Sequence, residues 1–268
     1  MPSPLRSLAA RLAVEAGTMV RDARRNARPD ATTKSSLIDM VTEFDRMSEE
    51  MVVRGLLAER PGDGLVGEEG STRQSTTGIV WHIDPIDGTT NYLYGLPGYA
   101  VSIAAVDPQG TLAGAVYIPS TDELFTADRG GGATMNGEPI HCTATTDMSL
   151  ALVGTGFAYQ PTRRADQIER VGRVLRSCRD LRRFGAAAAD LCYVAAGRLD
   201  VYYEEFLSSW DMAAGELIAR EAGCRLGALD GGPPGPGSLL VTTPALFDPM
   251  VHLLRLDHPS ADAPPANS

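Results

Sequence analysis

A chain of 268 residues is long enough for one large or two small domains with a substantial core, and 43% hydrophobic with 22% charged residues is ordinary globular composition. A formal net charge of -10 argues against a dedicated nucleic-acid binder, which needs a basic face. It also means that an anionic substrate has to be received where cations invert the local field.

In chain order, the first residues, Met1-Pro2-Ser3-Pro4-Leu5-Arg6, carry no apolar signal core, and no run in the sequence is long enough to span a bilayer. Over 5–25, Leu5, Leu8, Ala9, Leu12, Ala16, Met19 and Val20 recur at helical spacing opposite arginines and acids, predicting an amphipathic helix packed on a sheet. Its alanine-rich, aromatic-free apolar face is poorly suited to a membrane surface. Residues 26–38 are polar and broken by Pro29, which predicts a mobile loop; Lys34 within it reads as a solvated charge. A second helix is expected over 43–58, capped by Thr42, with Asp45 in the first turn, where the dipole alone accounts for an acid. A turn at 62–64 and a short strand at 65–66 lead into Gly67-Glu68-Glu69-Gly70, an arrangement that most often makes a solvated turn. A Ser/Thr-rich loop follows over 71–77.

The stretch Trp81-His82-Ile83-Asp84-Pro85-Ile86-Asp87-Gly88-Thr89-Thr90-Asn91-Tyr92 breaks the ordinary pattern. It starts as a buried strand, and Pro85 pushes Asp84 towards an extended conformation, so the strand is expected to end there. Asp84 and Asp87 then leave on a short stiff turn and aim at one region. Gly88 permits close backbone approach, and 89–91 reads as the first turn of a helix with free N–H groups. Carboxylates for a hard cation beside amides for an oxyanion suit a metal-assisted phosphate site. An Asp-rich turn is the plainer reading, but it leaves unexplained why an apolar strand runs straight into this composition. His82 is expected to pack rather than to ligate, because Mg²⁺ prefers oxygen.

Strands are expected at 99–106, 112–118 and 123–127, forming an antiparallel meander, with a tight hairpin at Asn136-Gly137. From about 145 the pattern changes to alternation: strand 150–155, helix 163–177, strand 181–184, helix 186–195, strand 199–203, helix 211–222, strand 239–242, helix 244–256. Glu204 falls at a strand's C-terminal end, where ligands gather in α/β sheets, with Glu205 as the competing acid. Asp211 in Trp210-Asp211-Met212-Ala213-Ala214-Gly215 opens a helix and by itself reads as an N-cap. The Pro/Ala-rich residues 259–268 read as a disordered tail. The four cysteines, Cys142, Cys178, Cys192 and Cys224, are widely spaced without a CxxC pair, which points to a reducing, cytoplasmic setting.

Asp84-Pro85-Ile86-Asp87-Gly88-Thr89-Thr90-Asn91 resembles the signature of the inositol monophosphatase family, Mg²⁺-dependent, lithium-sensitive phosphatases. Asp39-Met40-Val41-Thr42-Glu43-Phe44-Asp45, Val66-Gly67-Glu68-Glu69-Gly70 and Trp210-Asp211-Met212-Ala213-Ala214-Gly215 extend the resemblance in order, over about residues 34–224. It implies a layered αβαβα sandwich of the inositol monophosphatase and fructose-1,6-bisphosphatase type, combining α+β and α/β parts. An N-terminal α+β domain (1–144) would hold the antiparallel sheet and most metal ligands, and an α/β domain (145–258) the rest.

The resemblance further implies two to three Mg²⁺ ions, with Mn²⁺ as a substitute and Li⁺ as an inhibitor. Glu68, Asp84 and the Ile86 carbonyl would hold one ion, and Asp84, Asp87 and Asp211 a second. Glu68 and Thr89 would orient water, with Asp45 holding Thr89. Asp87, Gly88, Thr89, Gly185, Ala186 and Glu204 would meet the substrate, and Lys34 would sit on a flap. The expected partner is a small phosphate monoester, with no nucleic acid or membrane, and the chain would be a homodimer. Gly185-Ala186 departs from the family pattern, which carries Ser or Thr after the glycine, so a hydroxyl contact is missing. The implied activity is hydrolysis of myo-inositol 1-phosphate and related polyol monophosphates. Histidinol phosphate, fructose 1,6-bisphosphate and 3′-phosphoadenosine nucleotides are the alternatives, although no base-stacking pocket is evident in the sequence. A regulatory binding protein retaining the fold is the alternative of another class.

Overall fold

The structure is a computed structural model that describes residues 2–26, 31–33 and 40–256; Lys34, Asp39 and the expected tail lie outside them. The helix α1 (Pro4–Asn26) is followed by the short strands β1 (Ala31–Thr33), which falls within the expected loop 26–38, and β2 (Met40–Thr42), which pairs antiparallel with it. Next come α2 (Glu43–Glu59), β3 (Gly64–Gly67), β4 (Thr72–Arg73), β5 (Val80–Asp87), α3 (Thr89–Tyr94), β6 (Ala100–Asp107), β7 (Gly110–Ile118), β8 (Glu123–Asp128), β9 (Ala133–Met135) and β10 (Glu138–Pro139). The second half holds β11 (Leu152–Thr155), α4 (Arg164–Ser177), β12 (Asp180–Arg182), α5 (Ala187–Ala195), β13 (Val201–Glu205), α6 (Ser209–Glu221), β14 (Arg225–Gly227), β15 (Ser238–Thr242) and α7 (Phe247–Leu254).

Among the described residues, β3 to β10 form one sheet in the order β10-β9-β8-β7-β6-β5-β3-β4, and β11 to β15 a second in the order β12-β11-β13-β15-β14. The meander β6-β7-β8 is antiparallel, while β3 runs parallel to β5. The second sheet is mixed: β11 is parallel to both β12 and β13, and β15 is antiparallel to β13 and β14.

Three apolar layers hold these sheets. Leu8, Leu12, Val52 and Leu56 of α1 and α2 pack on Trp81, Ile83, Val101 and Ile103. The opposite face of that sheet meets α5 and α6, which also cover the second sheet through residues such as Leu191, Ile218, Tyr202 and Val241. Val174, Met250 and Leu254 of α4 and α7 close the far side over Val153, Val201 and Leu240. The result is the helix–sheet–helix–sheet–helix layering.

Small residues set the spacing of the middle layer. A side chain at Gly114 of β7 would lie 3.0 Å from the Ala214 backbone of α6, and one at Gly215 would lie 2.7 Å from Leu191 of α5. The run Ala213-Ala214-Gly215 thus brings α6 down onto both neighbours. Full burial of each large aliphatic side chain contributes about 1.5–3 kcal/mol, and Trp81→Ala would cost about 3–5 kcal/mol. Trp81 also donates Nε1–H to Asp63 at 2.9 Å, a carboxylate shared with Arg60 and Thr77.

Several boundaries differ from those expected. The strand expected to end at Asp84 continues to Asp87. Helix 163–177 opens with a separate 3₁₀ turn, Pro161–Arg163, and 244–256 divides into a 3₁₀ turn, Pro244–Leu246, and α7. The strand expected at 199–203 is shifted to Val201–Glu205, so Glu204 lies inside it. Two short strands, β4 and β14, fall in segments without alternating patterning.

Candidate active site

The cleft is organised by an irregularity in β5. Asp84 pairs with Ser102 and Asp87 with Ala100, so three steps on β5 oppose two on β6: a β-bulge with one extra residue. In a regular strand, residues three apart point to opposite faces. The extra residue cancels that alternation, and Asp84 and Asp87 both line one cleft. Pro85, which has no N–H, sits inside the bulge, where a ladder hydrogen bond is not required. The bulge is pinned by Ile86 N–H donating to Asp84 Oδ1 at 3.1 Å and by Ser48 Oγ donating to the Pro85 carbonyl at 3.1 Å.

Gly88 follows with φ 87°, and a side chain there would meet the carbonyls of Gly98 and Gly185 at 3.0 and 3.1 Å. Only glycine satisfies both the left-handed backbone and the tight approach. The Thr89 hydroxyl donates to the Ile86 carbonyl at 3.1 Å, whereas the resemblance assigned its orientation to Asp45. Asp45 is buried in the first turn of α2 and is not part of the cleft lining.

Each further acid is placed by a different element. Glu68 follows β3, whose parallel pairing with β5 continues as Glu68 N–H donating to Ile83 O at 3.1 Å. The Gly67–Gly70 turn is held from beneath by the Glu49 carboxylate of α2, which accepts from Glu69 N–H at 2.8 Å and Ser71 N–H at 2.9 Å. A side chain at Gly67 would collide with that carboxylate. Glu69 is turned out of the cleft lining towards Arg46, at 4.0 Å.

Asp211 is the third residue of α6 rather than its N-cap, which is Ser208. It accepts from Ser208 N–H at 2.6 Å, so its position follows from the capping geometry at the helix start. Asp87 accepts from the first amides of α5, Ala187 N–H at 3.1 Å and Ala188 N–H at 2.6 Å. That contact joins the bulge to the second half of the chain and satisfies two orphan donors of the helix.

The Glu204/Glu205 ambiguity resolves by their partners. Both line the cleft, but Glu205 is neutralised by Arg170 Nη1 at 2.6 Å, while Glu204 accepts only from the neutral Tyr202 hydroxyl among the described hydrogen bonds. Gly156 leaves the space that Glu204 occupies, since a side chain there would overlap its carboxylate.

These residues line a cleft of about 510 Å³. Asp84 is 1% and Asp87 8% exposed. Burial first, then the charges of Glu68, Asp87 and Asp211, raise the Asp84 carboxyl well above its ordinary range. Burial and Asp211 do the same to Asp87, against the opposing effect of the Ala188 amide. Burial pushes Glu204 up to about 7, while the Tyr202 hydroxyl and Arg183 pull it down. Asp190, buried in α5 near Asp87 and Glu204, is also raised well above its usual range.

Such a group of acids is held at the expense of the free charged state, which a cation would relieve. The donors are carboxylates and the Ile86 carbonyl, oxygen throughout, and fit Mg²⁺ or Mn²⁺ better than zinc or copper. Among the described residues no three His, Cys, Asp or Glu side chains converge closely enough to cage one ion, so the expected trio Asp84, Asp87 and Asp211 is not drawn together as a closed group. Asp84, Asp87 and Asp211 each accept from backbone amides, and Asp84 feels the charges of Glu68, Asp87 and Asp211. Mg²⁺ takes one or two carboxylates, several waters and substrate phosphate rather than an all-protein cage, and an open set of this kind suits it.

Of the residues expected at the site, Glu68, Asp84, Ile86, Asp87, Gly88, Thr89, Gly185, Glu204 and Asp211 all line the cleft. Ala186 is buried and lies outside its lining, which Ala187 joins instead. Lys34 lies outside the described residues. His82 meets Ser209 Oγ at 2.8 Å through Nδ1, and burial lowers its pKa. Sequence reasoning missed Arg163, Arg183, Tyr159 and Phe206 in the cleft wall, and Glu49 beneath the Glu68 turn. Glu49 is buried in α2 together with Asp45, Ser48, Val52 and Leu56.

The family model described as "Inositol monophosphatase family" matches residues 1–255. The "Inositol-1-monophosphatase SuhB" of Mycobacterium tuberculosis (strain ATCC 25618 / H37Rv) is 43% identical over 243 residues, covering 84% of each chain. The "Nus factor SuhB" of Pasteurella multocida (strain Pm70) is 39% identical over 232 residues, covering 86% of this chain and 87% of that one. Among solved structures, the extragenic suppressor protein suhB from Bartonella henselae superposes with a TM-score of 0.90 at 33% identity, covering 96% of this chain and 100% of that chain. With the family model spanning nearly the whole sequence and the layered fold shared, this chain belongs to the inositol monophosphatase family.

Proposed function

We propose that this protein is a Mg²⁺-dependent phosphomonoesterase acting on myo-inositol 1-phosphate and related polyol monophosphates. The observation that carries the reading is the group of acids, buried Asp84 and Asp87 with half-buried Glu68 and Asp211, facing one cleft beside the glycine turn at Gly88. Asp84, Asp87 and Asp211 with Glu68 and the Ile86 carbonyl would hold the ions. When bound, Mg²⁺ supplies charge neutralisation at the phosphoryl group and acidifies a water.

The protein's own groups do the rest. Glu68 and the Thr89 hydroxyl orient the attacking water, and the amides of Gly88 and Thr89 receive phosphoryl oxygens. Ionised Glu204 accepts a hydroxyl proton of the polyol in a hydrogen bond, which orients the alcohol as a leaving group. The Tyr202 hydroxyl holds the other side of that carboxylate. Asp87, fixed by two helix amides, cannot swing away as substrate enters.

A second reading, a regulatory binding protein that keeps the fold, is favoured by one observation: the Pasteurella multocida relative is a Nus factor. Phosphate release separates the two. With Mg²⁺, myo-inositol 1-phosphate should be hydrolysed and EDTA should abolish it; no release from any monoester at any Mg²⁺ concentration would leave the binding reading standing.

A further inference from the structure

On β5 the side chains alternate: Trp81 and Ile83 enter the layer under α1 and α2, so His82 and Asp84 face α6. The residue opposite His82 on β6, Ala104, belongs to the apolar layer that α5 and α6 cover. An imidazole is out of keeping in such a layer unless its polar atoms find a partner. Here Nδ1 meets Ser209 Oγ of α6 at 2.8 Å, and because a hydroxyl can donate or accept, the bond forms with either neutral tautomer. His82 stands two residues before Asp84 on the strand, and Ser209 stands two residues before Asp211 on the helix. The pair is therefore a rung between the elements that carry these two carboxylates. Of the expected ion ligands, Asp211 alone comes from the second half of the chain, whereas Glu68, Asp84, Ile86 and Asp87 come from the first. Two further ties hold α6 to the same sheet, Ser102 Oγ donating to Trp210 O at 3.3 Å and Thr111 Oγ1 donating to Ala213 O at 3.2 Å, but they start from β6 and β7.

We infer that His82 is a positioning residue which, through Ser209, sets the start of α6 and with it the Asp211 carboxylate against Asp84. Asp211 is tied to its own helix by Ser208 N–H at 2.6 Å, so its carboxylate moves with the first turn of α6 and not independently of it. That internal cap leaves open where the turn lies relative to β5, and the imidazole supplies the link. Contacts behind the ligands decide how well a ligand set fits an ion, and losing one costs about 10–100-fold in affinity. Neither His82 nor Ser209 lines the cleft, so a substitution at either leaves every expected ligand in place. The consequence for metal binding rests on the phosphatase reading; the strand-to-helix contact does not.

His82→Leu removes the bond and keeps an apolar side chain in the layer. His82→Asn keeps a polar atom at the Nδ1 position, whereas His82→Gln places one at the Nε2 position instead. Titrating each protein with Mn²⁺ and counting the free ion by its electron paramagnetic resonance signal gives the affinity. His82→Leu and Ser209→Ala should each weaken, by about tenfold, the class of sites that Asp211→Asn weakens. The double variant should be no weaker than either single one, and His82→Asn should recover most of the loss while His82→Gln does not. In EDTA, hydrogen exchange at the amides of residues 208–212 should quicken in His82→Leu and Ser209→Ala and return towards the wild-type rate in His82→Asn. Ser209→Ala carries both measurements should the strand variant be too unstable to purify. Unchanged affinity in both single variants, losses that multiply in the double variant, or a loss that His82→Asn leaves in place overturns the role. If the wild type binds no Mn²⁺, the metal reading fails, and the exchange comparison alone decides whether His82 sets the start of α6.

Discussion

Replacing Glu204 by Gln should change how stability depends on pH, and the structure sets the size of the change. Burial raises the Glu204 carboxyl from 4.5 to about 7 in the folded protein. A carboxyl with a raised folded pKa binds its proton more tightly folded than unfolded. Its stabilising contribution is therefore complete below pH 4.5 and is lost as pH rises through about 7. At about 1.4 kcal/mol per tenfold in proton affinity, the loss approaches about 3 kcal/mol. Gln carries no charge, and its carbonyl keeps the Tyr202 hydroxyl as donor. Across pH 5 to 8 in EDTA, the midpoint of Glu204→Gln should therefore draw ahead of the wild type. For a chain of this size the gap at pH 8 should be roughly 6–12 °C. Acids remote from Glu204 titrate in both proteins and cancel in the difference; Asp87 and Asp190, which its charge raises, are relieved in the variant as well and shift the difference in the same direction. Parallel curves across the range would refute the assignment of Glu204 as a buried, desolvated acid.

Three further outcomes follow from the same geometry. Asp84→Asn should raise the thermal midpoint in EDTA, because it removes the charge that burial and its neighbours disfavour, and should erase the midpoint rise that Mg²⁺ gives the wild type, about 2.7 kcal/mol at a hundredfold excess over Kd; differential scanning fluorimetry across a Mg²⁺ titration reads both. Asp87→Asn and Asp211→Asn should each lower kcat at least about a hundredfold, with far-ultraviolet circular dichroism unchanged; Asp211→Asn should also weaken α6 capping by about 1 kcal/mol, seen as a lower urea midpoint. Gly156→Ala should displace the Glu204 carboxylate and raise KM for polyol esters roughly tenfold, while leaving the pH-independent hydrolysis of 4-nitrophenyl phosphate, which has no polyol hydroxyl, within about twofold.

The layering was legible because its signals are local and periodic. The 3.6-residue spacing in α1, the alternating strands of the meander, and the later alternation of strands and helices each state their own element. The acids were legible for a different reason: Asp84, Asp87 and Glu68 sit beside Pro and Gly, where composition breaks from the surrounding strands. What escaped was whatever depends on two distant segments meeting. The bulge that turns Asp84 and Asp87 to one face is visible only in the pairing of β5 with β6, and Pro85 alone suggested a strand end. Asp87 capping α5, Glu49 holding the Glu68 turn, and His82 meeting Ser209 each join residues far apart in the chain. Phe206 had no signal at all, since nothing in Glu204-Glu205-Phe206 demands the left-handed backbone, φ 68°, that it adopts.

The claim beneath the rest is that Glu68, Asp84, Asp87 and Asp211 serve divalent cations. Anomalous diffraction from crystals soaked in Mn²⁺ tests it directly, because manganese scatters where Mg²⁺ would be hard to tell from water. The account predicts anomalous peaks in the cleft within bonding distance of Asp84 and of the Glu68, Asp87 and Asp211 carboxylates, and their loss in Asp84→Asn. A well-ordered cleft with no anomalous peak at saturating Mn²⁺ would contradict it.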